Sequence, residues 1–221
     1  MNWYQMFAKG HHGYPQPEDS YESELYETCC MRCGIHGRQN GSIRLRTPSK
    51  APNSHFIQPN WLFDVFLVRS EVEAILEFEG FQALEFAPVF DCKKRCHSES
   101  LRQIIISTVM PCAETAKLPK VTCMPNNEES SWEIPGPKRY SADTPYCGSI
   151  KYHPPSTLVV DVNSLKNAPD IFQTSEWFGS GGESHRITIC SERFVSIVKS
   201  NKFRGLGFNQ IEFEGHSERV T

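Results

Sequence analysis

No apolar run in these 221 residues approaches the roughly 20 needed to cross a bilayer as a helix. An excess of positive charge is also missing. The 23 Lys and Arg stand against 26 Asp and Glu, with no basic stripe of the kind that phosphate neutralisation requires. Neither a membrane nor a nucleic acid is therefore an expected partner. Residues 1–9 lack the apolar stretch of an export signal. Nine cysteines, an odd number, without such a signal predict reduced thiols in a cytoplasmic protein, some of them on metal. The most consequential absence is local. Thr144-Pro145-Tyr146-Cys147-Gly148 has the outline of a C-x-x-C-G knuckle but lacks the leading cysteine.

An intact copy of that knuckle is present upstream as Cys30-Met31-Arg32-Cys33-Gly34. A C-x-x-C turn puts two thiolates on one side of a tight loop, and the glycine lets the backbone fold beneath a metal. Two intact knuckles would form a tetrahedral four-cysteine zinc site. With Cys30, Cys33 and Cys147 alone, the reading divides between a zinc site with an irregular fourth ligand and a metal-free relic held by its turns. Cys29, His36, Asp143 and His153 are the candidate fourth ligands. A redox C-x-x-C fits less well, because Gly34-Ile35-His36-Gly37 follows where a helix should begin. Cys112, Cys123 and Cys190 read as structural, and Cys92-Lys93-Lys94-Arg95-Cys96-His97 as a solvated basic turn.

The expected fold is α+β, with two related β-α-β-like halves from an internal duplication around a zinc-knuckle-like centre. Residues 63–68 read as a central strand, apolar on both faces. Ser70 with Glu73 reads as a capping box opening a helix whose buried face is Val72, Ile75 and Leu76. Gly80 ends that helix, and 84–89 forms the next strand, with Pro88 at an end or edge. The pattern recurs with Ile187 and Ile189, the cap Ser191, the helix face Phe194, Ile197 and Val198, and a closing strand from Leu206. One offset of 122 residues pairs Val72 with Phe194, Ile75 with Ile197 and Leu84 with Leu206. The chain divides into an N-terminal half, 1–91, with the first knuckle, a connecting segment, 92–143, and a C-terminal half, 144–221, with the second. Together these are expected to form one compact unit.

The order of these parts resembles the double-CXXCG motif family of bacterial proteins, which includes immunity proteins of polymorphic toxin and kin-discrimination systems. The resemblance rests on Cys30-Met31-Arg32-Cys33-Gly34, on Phe66-Leu67-Val68-Arg69-Ser70, on Phe86-Ala87-Pro88-Val89 and on the degenerate second knuckle. It rests most on the C-terminal run Asp161-Val162-Asn163-Ser164-Leu165, Asp170-Ile171-Phe172, Ser191-Glu192-Arg193-Phe194-Val195 and Phe203-Arg204-Gly205-Leu206. Thr144 departs from the family pattern. The resemblance implies a small cytoplasmic protein that binds and neutralises a cognate toxin.

No nucleophile–base signature surrounds His153, His185 or His216. The glycine-rich 179–182 leads into a strand, not a helix N-terminus, so it lacks phosphate-binding geometry. The protein is therefore not expected to be an enzyme. Trp132, Glu176 and Trp177, read as loop residues, are the candidate partner-binding side chains, since Trp is enriched at binding hot spots and acids suit a basic toxin. Two rival readings are a stand-alone zinc-binding regulatory or interaction module and an enzyme of unrecognised type.

Overall fold

The computed structural model describes residues 2–18, 20–46, 53–81, 83–124, 143–180 and 182–214. Trp132 lies outside them. The elements run β1 (Trp3–Ala8), α1 (Tyr21–Leu25), β2 (Arg44–Leu45), β3 (Phe56–Ile57), β4 (Phe66–Arg69), α2 (Ser70–Phe78), β5 (Leu84–Asp91) and β6 (Cys96–Ile106). They continue with β7 (Val109–Met110), β8 (Lys120–Thr122), β9 (Ile150–Tyr152), β10 (Val159–Val160), a 3-10 turn at Val162–Leu165 and β11 (Ile171–Phe178). The last are β12 (His185–Ser191), α3 (Glu192–Ser200), β13 (Leu206–Gln210) and β14 (Glu212–Phe213). The fold is α+β, as the alternation of short strands and two amphipathic helices predicts.

Among the described residues there are, beside a two-stranded parallel pair of β10 with β14, two mixed sheets. One runs β2-β5-β6-β4-β3, and the other runs β13-β1-β12-β11-β9-β8, with β7 also on β11. Their strands β4 and β12 are buried on two faces, so successive residues there enter different cores. In β4, Phe66 and Val68 enter a central core while Leu67 enters an outer one. In β12, Cys190 enters the central core, and Ile187 and Ile189 enter a third. The central core holds the buried faces of both helices, Val72 and Leu76 with Phe194, Val195 and Val198. Phe194 meets Phe81 and Phe56 edge-on at 5.4 and 6.5 Å, which joins the two helical units.

The repeated pattern corresponds to repeated geometry. The helices at 70–78 and 192–200 and the strand starts at 84 and 206 all keep the 122-residue offset. After each helix, Gly80 (φ +72°) and Lys202 (φ +55°) adopt the same left-handed turn. Each unit also admits one antiparallel strand between its two parallel ones, β6 between β4 and β5 and β1 between β12 and β13. The inserted strand has different origins. β6 follows β5 as a hairpin, whereas β1 comes from the N-terminus. The correspondence ends with the strand-helix-strand unit, and a duplication of whole halves is not shown.

Some local details differ from a simple reading of the pattern. Ser70 forms no cap. Arg69 is the N-cap residue without a side-chain bond, and Glu73 turns instead to Arg102 at 3.3 Å. By offset, Arg69 is the counterpart of Ser191, which does cap α3 by accepting from the Phe194 amide. Residues 157–162 form only the two-residue β10 before the 3-10 turn, where Asp161 caps through Asn163 N. Pro88 lies inside β5, next to an irregularity in its pairing with β6, where a missing N–H is tolerated.

Candidate metal centre

The first knuckle is closed by two backbone hydrogen bonds. Cys30 N donates to Ile35 O at 2.9 Å, and Gly34 N donates to Cys30 O at 2.8 Å. Gly34 is required twice over. Its φ is +76°, and a Cβ would lie 2.2 Å from Gly182 O. The knuckle is thereby pressed onto the turn between β11 and β12. Cys33 O fastens it there, accepting from Ser184 Oγ at 2.5 Å and Lys151 Nζ at 3.0 Å.

The second knuckle has the same two bonds with a different leading cysteine. Cys123 N donates to Ser149 O at 2.9 Å, and Gly148 N donates to Cys123 O at 3.0 Å. Gly148 has φ +72°, close to Gly34. Cys123 thus takes the place in this turn that Cys30 has in the first knuckle. It stands just beyond β8, and the antiparallel β8–β9 pairing, with Thr122 opposite Ile150, brings it beside Cys147-Gly148-Ser149. Thr144 keeps a lesser part. Its carbonyl accepts from Arg32 Nε at 2.6 Å, and the Arg32 guanidinium lies 4.0 Å from the Tyr146 ring centre. The two knuckles therefore touch along their loops as well as through their sulfurs.

The sulfurs of Cys30, Cys33, Cys123 and Cys147 all lie within 4.8 Å of one another. Cys30 Sγ is 3.8 Å from Cys123 Sγ, and Cys33 Sγ is 3.6 Å from Cys147 Sγ. Zinc–sulfur bonds of about 2.3 Å in a tetrahedron separate the sulfurs by about 3.8 Å, so these residues fit a divalent ion. The expected convergence of Cys30, Cys33 and Cys147 is present. The reading of Cys123 as merely structural is wrong, and none of Cys29, His36, Asp143 and His153 belongs to the group. Cys29 is half-buried beside it, with a thiol pushed up to about 12 by desolvation and the nearby Glu22. His36 faces away, stacked on Tyr26 at 3.6 Å with Nε2 3.6 Å from Asp64 Oδ2.

The thiols are unequal. Burial raises Cys33 and Cys123. Burial also pushes Cys147 upward, but the Ser149 hydroxyl and amide, together with the Cys30 and Cys33 thiols, prevail and bring it to about 7. Cys147 is also the exposed member of the four. An incoming cation thus meets one accessible, readily ionised sulfur, and must itself draw the proton from the buried ones.

The other predicted site residues stand elsewhere. Glu176 and Trp177 are in β11 and not in a loop. Trp177 is half-buried, covered by the Arg186 guanidinium at 4.6 Å and approached edge-on by His36 at 4.7 Å. It holds the loop after the first knuckle against the large sheet. Glu176 Oε2 is buried with no hydrogen-bond partner among the described residues. In the basic turn, Lys93, Lys94 and Arg95 are exposed, as expected, over the buried Asp91, whose Oδ1 accepts from the Lys93 and Lys94 amides.

No family model matches this chain, and no curated protein matches it either.

Proposed function

We propose that the protein holds one zinc ion on Cys30, Cys33, Cys123 and Cys147 as a structural centre. On this reading it neutralises a cognate bacterial toxin by stoichiometric binding. The observation that carries the metal part is the backbone pattern of the second knuckle, rebuilt around Cys123. Thr144 was the departure from the double-CXXCG pattern, and Cys123 supplies the missing thiol from another place in the sequence. The toxin-binding part rests on the resemblance to immunity proteins alone.

Four protein ligands leave no open position for water or substrate, which favours a structural over a catalytic ion. Such an ion ties the N-terminal knuckle to the β8–β9 edge of the large sheet. Nine free thiols suit a reducing compartment, and among the described residues no helix is long and apolar enough to cross a membrane. The partner surface on this reading is the second knuckle itself. Met124, Tyr146 and Ile150, which adjoin it, are 56%, 42% and 40% exposed, the kind of apolar display expected of a contact face. Trp177, committed to its contacts in the sheet, is a weaker anchor.

The test has two arms. Elemental analysis of protein purified without chelator should find one zinc per chain, and near-zero zinc in a folded protein would reject the metal. Affinity capture of the tagged chain from its host should return a toxin in equal amount, with co-expression restoring growth. A partner that is not toxic would favour the regulatory-module reading. Protection at far below one copy per toxin would favour an enzyme.

A further inference from the structure

We infer that Lys151 is the built-in counter-charge of the metal centre, a positioning residue that sets how tightly the four thiolates hold a divalent cation. The inference rests on the metal reading above. Lys151 lies in β9, opposite Val121 of β8, in the hairpin that carries Cys123 and Cys147. Only 3% of it is exposed, an unusual degree of burial for lysine. The ammonium donates to Cys33 O at 3.0 Å and to Glu183 O at 3.0 Å. It thereby bridges the first knuckle, the second knuckle's hairpin and the turn between β11 and β12.

Burial works against the Lys151 ammonium and lowers its pKa, His185 lies within its field, and four acidic groups oppose the burial. The acidic groups that bear on it are Cys33, Cys123, Glu183 and Cys30. A divalent ion on four thiolates leaves a dianionic centre, and Glu183 adds a carboxylate to the same field. A buried cation is what makes such a cluster tolerable at low dielectric. Arg32, the cation inside the first knuckle, is occupied with Thr144 O and the Tyr146 ring. Lys151 also shapes the site geometrically. By holding Cys33 O it fixes the backbone from which the Cys33 sulfur projects, as outer-sphere partners orient metal ligands elsewhere.

The experiment measures zinc affinity by chelator competition, and urea unfolding with zinc and with EDTA, for wild type, Lys151→Arg and Lys151→Met. Lys151→Met should bind zinc about 10–100-fold more weakly, the scale of outer-sphere losses, while Lys151→Arg keeps most of the affinity. The stabilisation added by zinc should shrink in Lys151→Met beyond any loss seen in EDTA. Equal losses with and without zinc, or unchanged zinc affinity, would overturn the inference in favour of a packing role. If Lys151→Met does not fold, Lys151→Gln, which keeps a donor but no charge, carries the test, and wild-type affinity there overturns it. Failure of the wild type itself to bind zinc would instead sink the metal reading.

Discussion

The amide of Gly148 donates to the carbonyl of Cys123, twenty-five positions upstream, in the bond that Gly34 makes to Cys30 four positions upstream. A turn normally written in five consecutive residues is assembled here from two separate pieces of chain. The thiol that stands in the place of Cys30 comes from Cys123, which only strand pairing brings there.

Replacing that thiol should therefore abolish the site. Cys123→Ser should lower zinc affinity by more than the roughly hundredfold ceiling of outer-sphere changes. Cobalt substitution provides the measurement, since a tetrathiolate has intense sulfur-to-metal absorption that a three-sulfur site has in reduced strength. An unchanged cobalt spectrum in Cys123→Ser would exclude Cys123 as a ligand.

The two knuckle glycines should respond differently to alanine. Both have left-handed φ, so each substitution costs about 1–2 kcal/mol from conformation alone. Nothing lies within 4 Å of a Cβ at Gly148, whereas at Gly34 it meets Gly182 O and Ser184 N at 2.2 and 2.9 Å. Gly34→Ala should therefore be clearly the more destabilising in urea unfolding. Equal losses would mean that the first knuckle is not pressed against the 182–184 backbone.

The two serines before the helices form a second contrast. Ser191 Oγ accepts from Phe194 N and donates to Asp170 Oδ1 at 2.5 Å. Ser191→Ala should cost about 1–2 kcal/mol. Ser70 is already inside α2 and makes no capping bond, so Ser70→Ala should change stability by less than about 0.5 kcal/mol. Thermal unfolding of both variants is sufficient, and a large loss at Ser70 would restore the capping box.

Acid should weaken the fold in two windows. Burial lowers the His185 pKa below its ordinary 6.5, with Lys151 and His36 adding to the effect and Asp64 opposing it. The unfolded chain then binds more protons than the folded one, so stability is full above about pH 6.5 and declines as pH falls toward the folded value. Asp64 is also lowered. Burial opposes this, but the His36 hydrogen bond and charge outweigh it, and its contribution is lost only below the ordinary carboxylate range near 3.8. His185→Gln should flatten the upper window and also shrink the lower one, because the His185 charge helps to hold Asp64 down. Chemical denaturation across pH, with the metal held constant, measures both, and an unaltered upper window would remove His185 as its source.

Much of the fold was legible because the signals are local. The periodicity of Val72 and Leu76 and of Phe194 and Val198 is imposed by the helix itself, and both pairs are buried in the central core. Cys190 could be assigned to the core from its match to Val68, and both are fully buried there. Trp177 was misjudged for a related reason. The serine, glutamate and glycines around it suggest a loop, but a β11–β12 ladder with Trp177 opposite Arg186 makes it a strand residue. A ladder depends on the partner strand, which no window of sequence around Trp177 contains.

The sequence by itself determined the first knuckle, its glycine, and the two strand-helix-strand units, because backbone stereochemistry and apolar periodicity act over a few residues. Tertiary structure alone decided that Cys123 completes the sulfur cluster, that β1 enters the second sheet, and that Ser191 caps while Ser70 does not. Each of those outcomes depends on which distant strand pairs with which. That choice is made by burying strands such as β4 and β12 on both faces at once, and the physics of that burial is a property of the whole chain.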